Sequence, residues 1–277
     1  MGMSNIFVNA MKTTQQWMPG RLTRKRPEIA NTSKLQRAVD VVTVGKMMKA
    51  IQPVPLQSLL LGQCTDGKPF LMGLSDPELG AVLVSSDPGC GKTHQLQVMA
   101  DSAIRAHTPR ALQISILTSK PDEWAGLQND PQKCKYLQCV YPWYHGQAER
   151  IIQALTELAE ARRQGQRQGA WVLFVLDDLT YVENLSYEAQ VNLHWLLAYG
   201  SQSGVWVIGP INAGYADSFR YWIETFRTRI TGRVQSEENA EILAMRPESH
   251  VENLSPGNFR IWTGMVWVTH RLLPLGD

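Results

Sequence analysis

Ser85-Ser86-Asp87-Pro88-Gly89-Cys90-Gly91-Lys92-Thr93 is the stretch on which the fold turns. It follows Ala81–Val84, an apolar run that reads as a buried strand. It leads into residues 92–107, where apolar residues recur at helical spacing. A strand, a loop of small residues and a helix that opens on Gly-Lys-Thr together make the setting of a phosphate-binding loop. Small residues let the backbone curl until successive N–H groups point at one anion. Gly91 keeps a side chain out of the path of that anion. Lys92 supplies a point charge for the β- and γ-phosphates, and the Thr93 hydroxyl is a ligand for Mg²⁺. The expected nucleotide contacts are therefore Ser86, Asp87, Pro88, Gly89, Cys90, Gly91, Lys92 and Thr93. Ser86 stands where this pattern usually begins with glycine.

The second decisive stretch is Trp171-Val172-Leu173-Phe174-Val175-Leu176-Asp177-Asp178. An apolar strand that ends in an acid matches a Walker-B strand. Asp177 is then expected to hold Mg²⁺, directly or through its water shell. Asp178 is placed to orient and polarise an attacking water. Glutamate is common at that position, and aspartate is one methylene shorter, so the alternative reading of Asp178 is a cap on the next turn.

Outward from these two stretches, short apolar runs alternate with helical ones. Strands are expected at Ala81–Ser85, Gln113–Thr118, Leu137–Tyr141, Trp171–Asp177, Val205–Gly209 and Arg229–Val234, with helices over 92–107, 147–164, 186–203, 215–226 and 237–245. Buried strands separated by helices predict an α/β fold, a RecA-like P-loop core whose mainly parallel sheet is covered on both faces. Phe259–Leu272 alternates in part and reads as a hairpin turning near Thr263-Gly264, an antiparallel addition at the C-terminal end. Ahead of the core, residues 33–50 carry apolar residues at helical spacing after Ser33 as N-cap, and Pro53 and Pro55 end that helix.

Charge divides the chain differently from hydropathy. Of 27 Lys+Arg and 25 Asp+Glu, residues 1–50 hold nine basic and two acidic residues, a net of +7, and the remaining 227 residues a net of −5. A basic arm and helix over 1–50 and a RecA-like P-loop domain over 51–277 are the expected organisation, the latter a motor domain only as the resemblance given below implies. Four cysteines are too few for a disulfide scaffold in 277 residues, and no spacing pairs them with histidines as a zinc site requires. Apolar runs fall well short of the ~20 residues of a membrane helix, and the N-terminus does not read as a signal peptide. The expectation is a soluble, cytoplasmic protein. Arg162, Arg163 and Arg167 close a helix and its loop, where they either complement the helix C-terminus or contact DNA.

With both phosphate-site signals in place, residues 56–270 resemble the FtsK/HerA superfamily of DNA-pumping ATPases. Leu59-Leu60-Leu61-Gly62, Asp66-Gly67-Lys68-Pro69 and Phe70–Leu74 look like that family's short strand pair before the P-loop strand. Thr118-Ser119-Lys120-Pro121-Asp122-Glu123 is similar to its Asp-Pro-Lys-x-x-Glu segment, though the leading Asp-Pro is missing. Leu197–Asn212 resembles the helix, small-residue turn and strand that end in a polar sensor, here Asn212. A sensor amide can hydrogen-bond the γ-phosphate or the attacking water; the alternative for Asn212 is a turn residue. Phe226–Ser236 resembles the family's Pro-Thr-Arg-Ile strand, and Ser255-Pro256-Gly257-Asn258-Phe259 its Pro-Gly-x-Phe turn.

The resemblance implies ATP and Mg²⁺ as cofactors and a homo-oligomeric, hexameric ring with ATP held between subunits. Its implied cargo is double-stranded DNA, bound without sequence preference. It also implies an arginine finger reaching a neighbour's γ-phosphate, with Arg229 favoured and Arg233 second, against the alternative that both pair with surface acids. A viral genome-packaging or conjugative ATPase of the same superfamily is the near alternative. A nucleotide-binding assembly or regulatory switch with weak hydrolysis is the distant one, kept open by Ser86, Asp178 and Asn212.

Overall fold

The computed structural model describes residues 41–277, apart from Leu56, His145 and Pro247. The expected arm, and the start of the helix expected after Ser33, lie outside the described residues.

Ten strands form one sheet: β1 (Ser58–Cys64), β2 (Pro69–Gly73), β3 (Val82–Ser86), β4 (Leu112–Thr118), β5 (Leu137–Pro142), β6 (Trp171–Asp177), β7 (Val205–Asn212), β8 (Thr228–Thr231), β9 (Asn258–Trp262) and β10 (Trp267–Arg271). Their order across the sheet is β2-β1-β10-β9-β8-β3-β7-β6-β4-β5. From β8 to β5 every neighbouring pair is parallel. From β9 outward every pair is antiparallel. The fold is thus the α/β, RecA-like sheet that the alternating pattern predicts. The C-terminal hairpin and the early strand pair extend one edge.

Side-chain alternation explains why both faces must be covered. In β6, Trp171, Leu173 and Val175 enter one apolar cluster, while Val172, Phe174 and Leu176 enter another on the opposite face. A strand buried on both sides reads as an unbroken apolar run, which is why its period cannot be seen in sequence. α2 (Lys92–Ala106) covers the first face through Leu96, Met99 and Ala103. α4 (Gln147–Arg163) and α5 (Tyr187–Tyr199) cover the other through Ile152, Leu155, Leu193 and Leu196. The remaining helices are α1 (Val44–Ala50), α3 (Ala125–Gln128), α6 (Arg220–Ile223) and α7 (Glu237–Ala244).

α1 starts where Thr43 Oγ1 accepts the Lys46 N–H at 3.2 Å. It packs Val44, Met47 and Met48 against Leu60, Val98 and Leu273. The C-terminal segment clips it there, because Val44 and Gly45 donate to Pro274 and Gly276 carbonyls. Arg105 joins the same corner, pairing at 2.7 Å with both the buried Asp101 and Asp277.

Several element boundaries differ from the sequence expectation: the helix expected over 215–226 is only Arg220–Ile223, that over 186–203 ends at Tyr199, and that over 33–50 starts, within the described residues, only at Val44. β7 continues past Gly209 to Asn212, carried by parallel pairing with β3 through Ser86. β8 stops at Thr231, because Gly232–Gln235 leaves the sheet to brace the loop after β3.

Candidate functional site

Every strand that the sequence marks for nucleotide chemistry ends at the same edge of the parallel sheet. β3 delivers the loop 86–93, β6 delivers Asp177 and Asp178, β7 delivers Asn212, and β4 delivers Thr118. The register makes these neighbours: Ser86 lies opposite Asn212, and Thr118 opposite Asp177. Carboxyl ends of strands are where open α/β sheets bind ligands.

The loop is braced on two sides. Asp87 N–H donates to Arg233 O at 2.8 Å, Gln235 N–H donates to Asp87 Oδ2 at 3.0 Å, and Gly232 N–H donates to Ser85 O at 2.7 Å. From the other side, Gly257 N–H donates to Cys90 O at 3.1 Å. Gly232 has to be glycine for space: an added Cβ would come within 2.8 Å of the Phe259 ring and 3.0 Å of Ser86 Cβ. Gly91 has to be glycine for conformation, with φ +98° at the helix N-cap. Among the described residues, none of the N–H groups of 89–93 meets a backbone acceptor. That leaves a cluster of donors at the start of a long helix, the arrangement an anion requires.

Lys92 points back across this loop. Its Nζ donates to Asp87 O at 2.9 Å, Ser86 O at 3.1 Å and Ser86 Oγ at 3.3 Å. Ser86, the departure from the usual glycine, thus contributes a hydroxyl that parks the lysine. Burial brings the Lys92 pKa down to about 8, although Asp87 and Asp178 nearby favour the charged form.

Asp177 is the most heavily supported group of the site. Its Oδ1 accepts from Thr93 Oγ1 at 3.2 Å, and its Oδ2 accepts from Thr118 Oγ1 at 2.9 Å and from Trp124 Nε1 at 3.0 Å. Trp143 Nε1 donates to the Asp177 carbonyl at 3.1 Å. Burial raises the Asp177 pKa, and the bonds from Trp124, Thr118 and Thr93 oppose that rise. Trp124 is 1% exposed, so its indole has no competing partner in water. The sequence reading missed Trp124 and Thr118. Their one visible signal is position, at the end of the strand beside β6 and in the Lys-Pro-Asp-Glu segment after it.

Asp178 is held in an uncommon backbone conformation, φ 82° and ψ 94°. Its Oδ1 accepts from Thr180 N–H at 3.0 Å and from Thr180 Oγ1 at 2.5 Å. The cap reading of Asp178 is therefore realised, and its second carboxylate oxygen has no partner among the described residues. Positive φ at a non-glycine residue costs about 1–3 kcal/mol and is typical of functional sites. Asn212 ends β7 with no side-chain hydrogen bond among the described residues, next to the parked lysine's anchor Ser86.

Arg229 does not reach the site. It is 7% exposed, and its guanidinium donates to four backbone carbonyls: Ile223 at 2.7 Å, Ile242 at 3.0 Å, Leu243 at 3.2 Å and Phe226 at 3.4 Å. Ile223, Ile242 and Leu243 lie at the C-terminal ends of α6 and α7, whose carbonyls a cation complements. Burial pulls the Arg229 pKa down to about 10. Within this chain the guanidinium is committed to its own helix ends rather than exposed, which speaks against the finger expectation. Arg233 is half-buried behind the loop it braces.

The donor set fits Mg²⁺ with a nucleotide. Thr93 Oγ1 and Asp177 Oδ1 lie 3.2 Å apart, and Mg²⁺ takes one or two protein oxygens plus phosphate and water. No group of three metal-binding side chains occurs among the described residues, as this mode of binding allows. All four cysteines are free thiols, and Cys90 is buried inside the loop.

No sequence-family profile and no curated protein matches this chain. Solved structures do. ATPases 2 and 3 of Thermomonospora curvata EccC, in complex with a signal sequence peptide, superpose with a TM-score of 0.64 at 16% identity over 80% of this chain and 41% of that one. EssC ATPases 2 and 3 from Geobacillus thermodenitrificans give 0.64 at 15% identity, over 80% of this chain and 45% of that one. The pCW3 conjugation coupling protein TcpA, a monomer with ATPγS, gives 0.59 at 15% identity, over 80% and 67%. This chain spans less than half the length of the EccC and EssC chains. These neighbours share the α/β, RecA-like fold of this chain.

Proposed function

We propose that this protein is an ATPase motor that binds MgATP on the 86–93 loop and couples its hydrolysis to the movement of DNA. The observation that carries the reading is the Thr93–Asp177 pair, 3.2 Å apart beside a loop whose N–H groups lack backbone partners. In this reading the N–H groups of 89–93 hold the β-phosphate. Lys92 leaves Ser86 and Asp87 to meet the β- and γ-oxygens. Thr93 and Asp177 hold Mg²⁺, which supplies neutralisation of charge on the phosphates. Trp124 and Thr118 fix the Asp177 carboxylate. Asp178 uses its free oxygen to orient water, and Asn212 senses the γ-phosphate from the end of β7.

Three features support DNA as cargo. The first 50 residues carry a net +7. The sequence resembles DNA-pumping ATPases, and one structural neighbour is a conjugation coupling protein. Movement along phosphates needs little base readout. The near alternatives, conjugative transfer and viral packaging, share the same chemistry. Assembly as a homo-oligomeric ring belongs to this proposal, without Arg229 as its finger. No helix among the described residues is long and apolar enough to cross a membrane.

A second reading, a nucleotide switch with weak hydrolysis, is favoured by the Thr180 cap on Asp178. One experiment separates the two. Single-turnover ATP hydrolysis is measured with and without duplex DNA, on the full chain and on Lys92→Ala. The motor reading expects turnover that DNA accelerates and Lys92→Ala abolishes. Tight ATP binding without product would favour the switch, and turnover indifferent to every form of DNA would remove the cargo.

A further inference from the structure

At the opposite edge of the sheet, where β4, β6 and β7 begin, a cleft of about 510 Å³ opens between the end of α4 and the turn before β7. The seven residues of β6 separate Trp171 in this cleft from Asp177 in the nucleotide site, a span of ~20 Å at ~3.3 Å per residue. The cleft is therefore a separate site, and nothing in the nucleotide chemistry uses it.

Its lining contains two guanidinium groups and no carboxylate. Arg162 donates through Nη1 to Ser203 O at 3.1 Å and to Gly204 O at 3.3 Å, and through Nη2 to Ala170 O. Its Nε has no partner among the described residues. Arg167 is exposed, and it forms no ion pair there. Each guanidinium repels the other: burial first, then Arg167, pulls the Arg162 pKa down. Two more orphan polar atoms share this wall. Trp171 Nε1 and Ser203 Oγ are buried without a hydrogen-bond partner, and both residues are 7% exposed. Three of the five orphan buried side-chain atoms among the described residues thus belong to residues that line one cleft. Buried polar groups are nearly always paired, so such a concentration calls for a partner that the chain itself does not supply. The histidine of the wall offers nothing further. His107 Nδ1 donates to Ala103 O at 2.9 Å, and its Nε2 accepts from Gln57 N–H at 3.1 Å.

We propose that this cleft binds a phosphate group, held by Arg162, Arg167, Trp171 and Ser203. All four present donors, and an acceptor-only anion satisfies them together. Phosphate is favoured over carboxylate because it offers more acceptor oxygens to donors that come from separate segments: the end of α4 and its loop, β6, and the turn before β7. Arg167, the exposed member, makes first contact. The orphan atoms are closed to water, so seating the phosphate against them requires a small shift of the cleft wall. The chain's own basic segment, net +7 over residues 1–50, carries the wrong sign to fill the cleft.

The test uses the full chain carrying Lys92→Ala, which removes the P-loop lysine from phosphate titrations. Inorganic phosphate is titrated by calorimetry, with acetate as the carboxylate control. Adding Arg167→Glu is expected to weaken phosphate about 10- to 100-fold, the loss of one charge-assisted hydrogen bond. Ser203→Ala, which leaves the Arg162 clamp in place, is expected to weaken it by less. Labelled duplex DNA is then titrated by anisotropy across a salt series. If Arg167→Glu lowers the DNA affinity and reduces the salt slope by about 1, the phosphate comes from the DNA backbone. If it abolishes inorganic phosphate binding and leaves DNA untouched, the ligand is a free phosphate compound. The proposal is overturned if no saturable phosphate binding occurs, if both variants bind phosphate as the parent does, or if acetate binds equally well.

Discussion

Replacing Arg229 by methionine separates a clamp from a finger. The side chain keeps its length and loses its charge and all of its donors. Four carbonyls then lose a partner, three of them at 2.7–3.2 Å and one at 3.4 Å. Bonds from a charged group are worth about 1.5–3 kcal/mol each, so the three short ones amount to roughly 5–9 kcal/mol gross. Against this stands the relief of burying a charge. The fall of the Arg229 pKa from 12.5 to about 10 corresponds to roughly 3 kcal/mol at 1.36 kcal/mol per unit. The net expectation is a loss of about 2–6 kcal/mol. For a domain of this size each kcal/mol lowers Tm by ~2–4 °C, so Tm should drop by roughly 4–24 °C. Thermal unfolding by circular dichroism reads the drop, and a coupled assay on the folded fraction reads turnover. Arg229→Lys should be nearly as unstable, because one ammonium cannot span four carbonyls. A variant that melts with the parent and loses turnover by 10³ or more, as a finger should, would refute the clamp.

A pH profile and two substitutions test the site and the core. Lys92, at about 8, should lose its charge as pH rises through 8, whereas bound phosphate favours that charge. ATP affinity should fall above pH 8 with proton uptake on binding, and calorimetry in buffers of different ionisation enthalpy checks both; a flat profile from pH 7 to 9.5 contradicts the parked lysine. Trp124→Phe removes the donor to Asp177 Oδ2, so the Asp177 pKa should climb further. The Mg²⁺ needed for half-maximal turnover should rise about tenfold; an unchanged Mg²⁺ dependence would leave Trp124 as mere packing. His270 is fully buried against Phe70 and Phe259, and burial lowers its pKa to about 3. The unfolded chain takes up that proton below pH 6.5 and the folded one does not, so stability should fall as pH drops from 6.5 toward 3. His270→Phe should flatten this acid limb in urea titrations at pH 4.5 and 7.5, and an equal loss in parent and variant would exclude His270 as its source.

The fold was legible because burial imposes patterns that single residues cannot hide. β6 is apolar throughout since both its faces are covered, and its terminal acids stand out against that run. The helices of the two layers follow from apolar spacing. Helix ends and loop paths were less legible. β8 stops early because Gly232–Gln235 turns back to brace the P-loop, and the reason is a contact with Phe259 and Ser86 far away in sequence. No local propensity encodes a contact of that kind.

The site was legible only as far as its residues act alone. Lys92, Thr93 and Asp177 announce themselves by type and spacing, and the structure places them together at one sheet edge. Trp124 could not be singled out, since one indole among nine tryptophans gains its role only by pointing at a buried carboxylate. Arg229 failed for the converse reason. It was favoured as a finger on the family resemblance of its strand, yet two short helices end beside it and present carbonyls that a cation complements. Asp178 shows how both readings of one residue hold at once. Thr180 occupies Oδ1, which fixes the carboxylate in a backbone conformation of positive φ, and leaves Oδ2 open. A carboxylate shorter than glutamate reaches less far toward bound nucleotide, and a strained turn at its own backbone is one way to restore that reach. Thr180→Val tests the link between cap and reach. If the cap positions Asp178, this change should lower turnover about tenfold or more while ATP binding is kept. Turnover equal to the parent's would mean that Asp178 does no more than start the next helical turn.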